Sequence, residues 1–260
     1  MRLKITFSQG KQCQLIPINY NYYISSFLYR TIESADSKYS EWLHDTGYSS
    51  GSKSFKYFTF SGLHIPEREL VHNKFINILS PKIELTVSML SDKAVESFVI
   101  GMFEKKKLKI FNNVTESEFD INMVERLPDP EYSNWMSFRT MSPLVISKNV
   151  IYKDKPSAKY LSPEDEDYEL YFRKNLQEKY ATYPTKTSGE IPELESIEHN
   201  GEVKSRLITI REGMPEETKV KGYIFSFTLK GSPELMKLGY EAGFGNLCSL
   251  GFGCVSNKRV

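Results

Sequence analysis

The sequence predicts an α+β fold made of two tandem ferredoxin-like domains. Strand and helix signals follow the order β, helical hairpin, β, β, α, β, and a similar order recurs in the second half of the chain. A segment with two prolines separates the halves. The duplication is one of element order, because no literal sequence repeat is visible. The predicted domains span residues 1–126 and 131–260.

The composition is that of a globular protein. The 260 residues are 40% hydrophobic and 26% charged, which excludes wholesale disorder and fits one large domain or two small ones. Lys and Arg number 34 and Asp and Glu 33, so any nucleic-acid site must be a local cluster. The sequence contains no apolar run of about 18 residues, so it predicts no membrane span. The strand-like N-terminus argues against a secretory signal, so we expect a cytoplasmic protein without membrane contact.

In the first half, alternating side chains predict a strand over residues 2–7. A helix is predicted to follow Asn21, and Ser37 to cap a shorter helix that Gly47 ends. A loop rich in glycine and serine precedes a strand predicted over 55–60. The remaining predicted elements are a helix over 92–103 and strands over 74–79, 83–89, 107–111 and 117–123.

In the second half, Pro128 and Pro130 mark a boundary within the segment 127–131. Ser162 is predicted to open a helix, because a proline and acidic residues follow it. Ser232 is predicted to open a second helix, which a glycine at 239 would stop. The predicted strands are 137–147, 149–153, 203–211, 220–230 and 252–255.

The densest motif is GYEAGFGNLCSLGFGCV, residues 239–255, in which five of seventeen residues are glycine. Glycine lets a backbone approach a ligand closely, and successive exposed N–H groups can hold phosphate oxygens. The alternative is a run of tight turns between the last helix and the last strand. Dinucleotide and P-loop fingerprints do not fit, and the likeness to the RNA-recognition-motif signature is partial.

This glycine-rich segment resembles that of the CRISPR-associated repeat endoribonucleases, the sixth Cas family, whose members cut precursor CRISPR RNA within each repeat. The resemblance extends to Pro17-Ile-Asn-Tyr20, Trp42-Leu-His44, Lys56-Tyr-Phe-Thr-Phe-Ser61 and Thr140-Met-Ser-Pro-Leu-Val-Ile146. It implies two RNA-recognition-motif-like domains. It also implies a metal-independent endoribonuclease that acts through the 2′-hydroxyl and yields mature guide RNAs.

Of the four histidines, His44 is expected at the end of a short helix, whose negative end favours a protonated ring. The resemblance implies that a tyrosine, a histidine and a lysine share catalysis, which by position are Tyr29, His44 and Lys56. We assign His44 to acid–base chemistry, Lys56 to phosphate stabilisation, and Tyr29 to a second proton transfer or to orientation. The roles of Tyr29 and His44 are exchangeable, and Lys53 competes with Lys56. Ordinary surface positions are the alternative for all of them.

RNA contacts are expected from the second domain. Lys204 and Arg206 share one face of a predicted strand, where they can bind phosphate, although a solubilising surface is the alternative. The lysine run at 105–107 with Lys109 has the same two interpretations. The resemblance implies RNA contact by the following residues: Lys204, Arg206, Gly243, Phe244, Gly245, Gly251, Phe252 and Gly253.

We predict no cofactor and no metal site. The motif H-E-x-x-H is missing, and Cys13, Cys248 and Cys254 are too scattered for a disulfide framework or a zinc ribbon. CRISPR repeat RNA is the expected partner, while a Cas effector complex and a homodimer stay open. Two other functions also stay open: a non-catalytic repeat-binding subunit of an effector complex, and a ferredoxin-like enzyme or regulator unrelated to RNA.

Overall fold

In the computed structural model, each half of the chain forms an antiparallel sheet backed by helices. The structure describes residues 1–10, 14–50, 53–184 and 190–257, so the prediction about Cys13 lies outside the described residues. The first half contains the following elements: β1 (Arg2–Gln9), β2 (Gln14–Pro17), α1 (Asn21–Ala35), α2 (Ser37–Asp45), β3 (Tyr48–Ser50), β4 (Lys53–Phe55), β5 (Phe58–Phe60), β6 (Arg68–Val71), β7 (Phe75–Ile78), β8 (Lys82–Met89), α3 (Asp92–Glu104), β9 (Lys107–Phe111) and β10 (Glu116–Leu127).

The second half repeats the plan with an inserted hairpin. Its elements are the following: β11 (Trp135–Thr140), β12 (Ile146–Tyr152), β13 (Lys155–Leu161), α4 (Tyr168–Thr182), β14 (Leu194–Ile210), β15 (Thr218–Gly231), α5 (Pro233–Ala242), a single 3₁₀ turn (Cys248–Leu250) and β16 (Val255–Asn257).

Strand order confirms the predicted fold class. The first sheet runs β5-β8-β1-β10-β9 and the second runs β14-β15-β11-β16. Apart from the edge strand β9, both place the second, third, first and fourth strands of the unit side by side, which is the ferredoxin-like connectivity. The apolar stripe of α1 is buried as predicted, because Ile24, Leu28 and Ile32 are fully inaccessible in the first core.

Several helix ends differ from the predictions. Asp36, not Ser37, caps α2, because its Oδ1 accepts from the Tyr39 N–H at 3.0 Å. Ser162 opens a turn closed by an Asp165 N–H bond of 3.0 Å to its carbonyl, and the helix α4 begins later. Gly239 does not stop α5, which continues to Ala242. Ser232 caps α5 as predicted.

Several strand bounds also differ. The predicted strand 137–147 is interrupted, since β11 ends at Thr140 and the next strand belongs to the β12–β13 hairpin. The predicted strand 55–60 breaks at Tyr57, whose φ is 52°. The last strand begins at 255 rather than 252, and β2, β3, β6 and β13 were not predicted; β3 lies where the loop rich in glycine and serine was predicted. Within the described ranges, no helix combines the length and apolarity needed to cross a membrane. The same ranges contain no group of three or more His, Cys, Asp or Glu arranged to hold a metal ion.

Arg2 connects the two domains through a buried guanidinium. The side chain belongs to β1, but Nη1 donates to the Val255 carbonyl at 2.6 Å and Nη2 to the Tyr240 carbonyl at 2.7 Å. The guanidinium carbon also lies 3.6 Å from the centroid of the Tyr240 ring. The residue is 2% exposed, so each of these bonds forms away from water. The first strand of one domain is thereby fixed to the last helix and last strand of the other.

We expect Arg2→Met to lower the free energy of unfolding by about 3 kcal/mol, because it leaves the buried Val255 carbonyl without its guanidinium donor and the Tyr240 carbonyl with only the longer Ser88 hydroxyl bond of 3.3 Å. Urea unfolding should show a lower midpoint with an unchanged slope. The matched variant is Arg126→Met, whose guanidinium is exposed and pairs with Asp129 at 3.1 Å. That variant should leave the midpoint where it is. Equal shifts in both variants would contradict the role given to Arg2.

Candidate active site

A cleft of about 990 Å³ lies where the two domains meet. One wall is formed by α1 and by the end of α2. The other is formed by the tip of the β14–β15 hairpin and by Leu247, Ser249 and Leu250 of the glycine-rich segment. Tyr29, His44 and Lys56 all line this cleft, so the structure brings the three predicted catalytic residues to one place.

Tyr29 lies at the centre of this group. Its ring meets the His44 ring edge to face, with centroids 5.0 Å apart, and packs on Phe58 at 5.3 Å. The Ser40 hydroxyl donates to the Tyr29 carbonyl at 3.0 Å, which fixes α2 against α1. Burial raises the pKa of Tyr29 to about 12, against a smaller opposite effect of its hydrogen bond with the Ser249 side chain. The phenol therefore stays neutral across the physiological range.

His44 occupies the last turn of α2, as predicted. Thr46 and Gly47 both donate their N–H groups to the Trp42 carbonyl, at 2.9 and 2.7 Å, which ends the helix just beyond the histidine. The Asp45 carboxylate accepts from His44 Nδ1 at 2.7 Å. Because an ionised carboxylate only accepts, Nδ1 carries the proton and Nε2 is the nitrogen left to exchange one with a substrate.

Lys56 lies between β4 and β5, outside the regular strand in which it was predicted. Its Nζ donates to the His44 carbonyl at 2.8 Å, so the ammonium is held at the end of α2. Burial lowers the pKa of Lys56, and the nearby Asp45 carboxylate partly opposes this effect. Lys53, the competing residue, forms an ion pair with Glu178 and does not line the cleft.

The unusual backbone of Tyr57 accounts for the position of Lys56. A tyrosine at φ 52° is strained, and such strain persists only where the surroundings impose it. The Tyr57 hydroxyl donates to the Lys179 carbonyl at 2.8 Å and lies 2.6 Å from the Thr182 hydroxyl, both on α4. Helix α4 of the second domain thus holds the backbone of Tyr57 in this conformation, directly beside Lys56.

The six residues of the glycine-rich segment that were predicted to contact RNA lie in the protein interior. Gly243, Phe244, Gly245, Gly251, Phe252 and Gly253 are all buried. The rings at 244 and 252 are fully inaccessible and cannot stack on a base. The N–H of residue 244 donates to the carbonyl of residue 253, and that of 253 to Pro143, each at 2.9 Å. The segment therefore packs within the protein, and only residues 247, 249 and 250 line the cleft.

Lys204 and Arg206 are exposed on β14 but do not line the cleft. Lys204 pairs with Glu202 at 3.0 Å, and Arg206 bonds to the carbonyl of the preceding residue at 3.1 Å. Contact of Lys204 and Arg206 with RNA stays a prediction.

Among the cleft residues that sequence reasoning missed are Arg30 on α1, Arg211 at the hairpin tip, and Ser249. The turn-like Glu212-Gly-Met-Pro215 was the available signal for the hairpin tip, but a turn does not indicate which surface it faces.

Comparisons with known proteins identify the family. Residues 15–125 match the family model described as CRISPR-associated protein Cas6, N-terminal, and residues 125–257 match CRISPR associated protein Cas6, C-terminal. The chain belongs to the Cas6 family. The resemblance noted in the sequence is thereby confirmed, and together the two matches cover nearly all of the described chain.

Individual Cas6 relatives are similar over almost their whole length. A protein of Methanocaldococcus jannaschii named CRISPR-associated endoribonuclease Cas6 1 is 28% identical over 99% of this chain and 92% of its own. A Pyrococcus furiosus protein named only as endoribonuclease-like is also 28% identical, over 98% of each chain. The solved structure of a Cas6-related gene product from Pyrococcus furiosus superposes with a TM-score of 0.84 at 26% identity, over 100% of this chain and 98% of that one.

Gly47 is expected to be required for the Cas6 site, because a Cβ there would lie 2.8 Å from both the Phe55 carbonyl oxygen and the Lys56 side chain. Its φ of +60° adds strain for any other residue. We expect Gly47→Ala to displace Lys56 and to reduce RNA cleavage at least tenfold, as followed on a labelled repeat transcript.

Gly201→Ala is the matched control for Gly47→Ala. Gly201 has φ +75° but nothing within 4 Å of its Cβ position, so it carries the strain without the collision. Cleavage by this variant should match that of the unmodified protein. A Gly47→Ala protein that folds and cleaves at the full rate would show that the position of Lys56 is unimportant.

Proposed function

We propose that this protein is a metal-independent endoribonuclease that cleaves precursor CRISPR RNA within its repeats, by attack of a 2′-hydroxyl on the adjacent phosphate, to release mature guide RNAs. The observation that carries the proposal is the meeting of Tyr29, His44 and Lys56 on one wall of the interdomain cleft. Membership of the Cas6 family and relatives named as endoribonucleases support the same substrate. The reaction would take place in the cytoplasm.

His44 is the proposed general base. With Nδ1–H bonded to Asp45, the free Nε2 accepts the proton of the attacking 2′-hydroxyl. A positioned general base of this kind contributes about 10²–10⁴ in rate. Asp45 is a positioning residue here, since it fixes the tautomer and the ring orientation of the histidine.

Tyr29 is the proposed proton donor. A phenol with a pKa of about 12 is ionised in about one molecule in 10⁵ at pH 7, so it is a poor base but always carries its proton. As the bond between phosphorus and the 5′-oxygen breaks, that oxygen takes the phenolic proton. The products are a 5′-hydroxyl and a 2′,3′-cyclic phosphate, and proton exchange with water restores both side chains.

Lys56 is the proposed electrostatic group. In the transition state, negative charge accumulates on the phosphate oxygens. The ammonium is held in place beforehand by the His44 carbonyl, so little reorganisation is needed to offset that charge. Partial burial, which lowers the pKa of this lysine, also strengthens its interaction with an anion.

We expect His44→Ala to lower the cleavage rate by about 10²–10⁴ while repeat RNA still binds with unchanged affinity. Incubation with a labelled repeat transcript and mapping of both new ends measures the reaction. His72→Ala is the matched control, because His72 is exposed and does not line the cleft. The unmodified protein should cut at full rate in EDTA.

Three outcomes would contradict parts of this proposal. Full cleavage by His44→Ala would remove the histidine from the mechanism. Loss of cleavage in EDTA would exclude a metal-independent reaction. An unmodified protein that retains repeat RNA but never cuts it would be a binding subunit instead of an endoribonuclease.

We expect the cleavage rate to fall on the alkaline side below the ordinary lysine pKa of 10.5, because burial lowers the pKa of Lys56 and the neutral amine no longer offsets phosphate charge. Lys56→Arg should move this alkaline limb to higher pH, since a guanidinium keeps its proton. The measurement is kcat/KM against pH after subtraction of uncatalysed hydrolysis. Lys53→Arg is the matched control and should leave the profile unchanged. A profile that Lys56→Arg does not alter would assign the limb to another group.

A further inference from the structure

Beyond Tyr29, the cleft continues into a second half lined by aromatic rings. Tyr22 and Tyr23 lie in the first turn of α1, and Phe111 lies at the end of β9. The centroids of the Tyr22 and Tyr23 rings are 5.7 Å apart, and those of Tyr23 and Phe111 are 5.8 Å apart. These three rings form a continuous surface, which we call the aromatic floor.

Phe111 is the exposed member of the aromatic floor. It is 46% exposed, whereas Leu108 and Ile110 on the same strand are fully buried. Tyr23, against which it packs, is 8% exposed and forms part of the first core. The Phe111 ring is therefore supported from one side and open to the cleft. A fixed, half-exposed aromatic ring in a cleft can stack on a nucleobase.

Arg211 stands beside the aromatic floor at the tip of the β14–β15 hairpin. Its guanidinium carbon lies 5.5 Å from the centroid of the Tyr22 ring. Its Nη1 is 3.7 Å from a Glu216 oxygen, which is too long for a hydrogen bond, so the group keeps donors for a phosphate. Glu212 and Glu216 also line this half of the cleft. They reduce its positive charge, so a ligand must gain affinity from its bases as well as from its phosphates.

The spacing connects the aromatic floor to the catalytic residues. Tyr22 and Tyr29 are two helical turns apart on one face of α1, a distance of about 10 Å. At about 3.4 Å for each stacked nucleotide, this corresponds to about three nucleotides. A strand whose phosphate lies at His44 therefore reaches the aromatic floor within a few nucleotides.

We propose that Phe111 stacks an unpaired base of the bound RNA, with Arg211 on the neighbouring phosphate, and that this subsite positions the strand for cleavage. The proposal rests on the proposed function, which supplies RNA as the ligand. It requires a single-stranded segment next to the scissile phosphate, because a paired base is stacked within its own helix and does not offer a free face.

The test uses repeat RNA with 2′-deoxyribose at the cleavage site and the fluorescent base 2-aminopurine at one position at a time. Stacking on an aromatic ring quenches this fluorophore, so the unmodified protein should quench it at one or two positions a few nucleotides from that site. Phe111→Ala should remove this quenching and weaken binding about tenfold. Phe111→Tyr keeps an aromatic ring, so this variant should retain both the quenching and the affinity of the unmodified protein. Phe103→Ala, at a 77% exposed ring outside the cleft, should change neither.

Arg211 gives an independent measurement. Arg211→Ala should reduce the slope of log affinity against log salt by about 0.7, the value for one phosphate contact on a single strand. The control Arg126→Ala should leave the slope unchanged, because Arg126 lies outside this cleft.

Unaltered quenching and affinity in Phe111→Ala would overturn the subsite. A protein that cuts the repeat but shows no quenched position would overturn it as well, while leaving the proposed function intact. Position-specific quenching by a protein that cuts no RNA would support the subsite and contradict the endoribonuclease.

Discussion

The cleft depends on the seating of the glycine-rich segment against the first domain. A Cβ at Gly251 would lie 2.3 Å from the Phe60 ring, so only glycine permits this approach. Three side chains of the first domain then bond to carbonyls of the segment: Asn21 to Leu250 at 3.1 Å, Ser25 to Ser249 at 2.8 Å and Thr59 to Phe252 at 2.8 Å. Together with Arg2, these contacts fix the two domains in one relative position, and the cleft is the space that remains between them.

The sequence predicts the parts of this arrangement that local periodicity controls. The buried stripe of α1 follows from residue spacing, and the end of α2 follows from Gly47, which places His44 at a helix terminus. The path of Lys56 could not be predicted, because the positive φ of Tyr57 depends on hydrogen bonds to α4, more than a hundred residues away. The split of the strand predicted over 137–147 does have a local signal, because Pro143 lacks the N–H that a strand ladder needs.

The glycine-rich segment shows a different limit of sequence reasoning. A cluster of glycines indicates that a backbone is approached closely, but the sequence does not tell whether a ligand or the protein itself makes the approach. Here the approaching groups are the Phe60 ring and the backbone of residue 244, which lies 1.8 Å from the Cβ position of Gly253. The family resemblance identified the segment correctly. The direct RNA contacts inferred from it stay a prediction, and the burial of its glycines does not favour them.

A net charge of +1 is compatible with an RNA site, because some basic residues pair with carboxylates while others line the cleft. Lys107 and Lys109 of the lysine run both pair with Glu118, so they contribute little outward field. Arg30, Lys56 and Arg211 line the cleft instead.

The active cleft also couples domain seating to chemistry through Tyr29. Its phenol bonds to Ser249, which belongs to the glycine-rich segment, while its ring packs on His44 and Phe58 of the first domain. A small shift of the segment would therefore move the proposed proton donor relative to the proposed base, even with both hydrophobic cores intact. Since proton transfer requires hydrogen-bond distances, the proposed mechanism predicts that a disturbed domain interface lowers activity before it lowers stability. In the proposed mechanism, the buried glycines and Arg2 would therefore influence catalysis through the position of this segment.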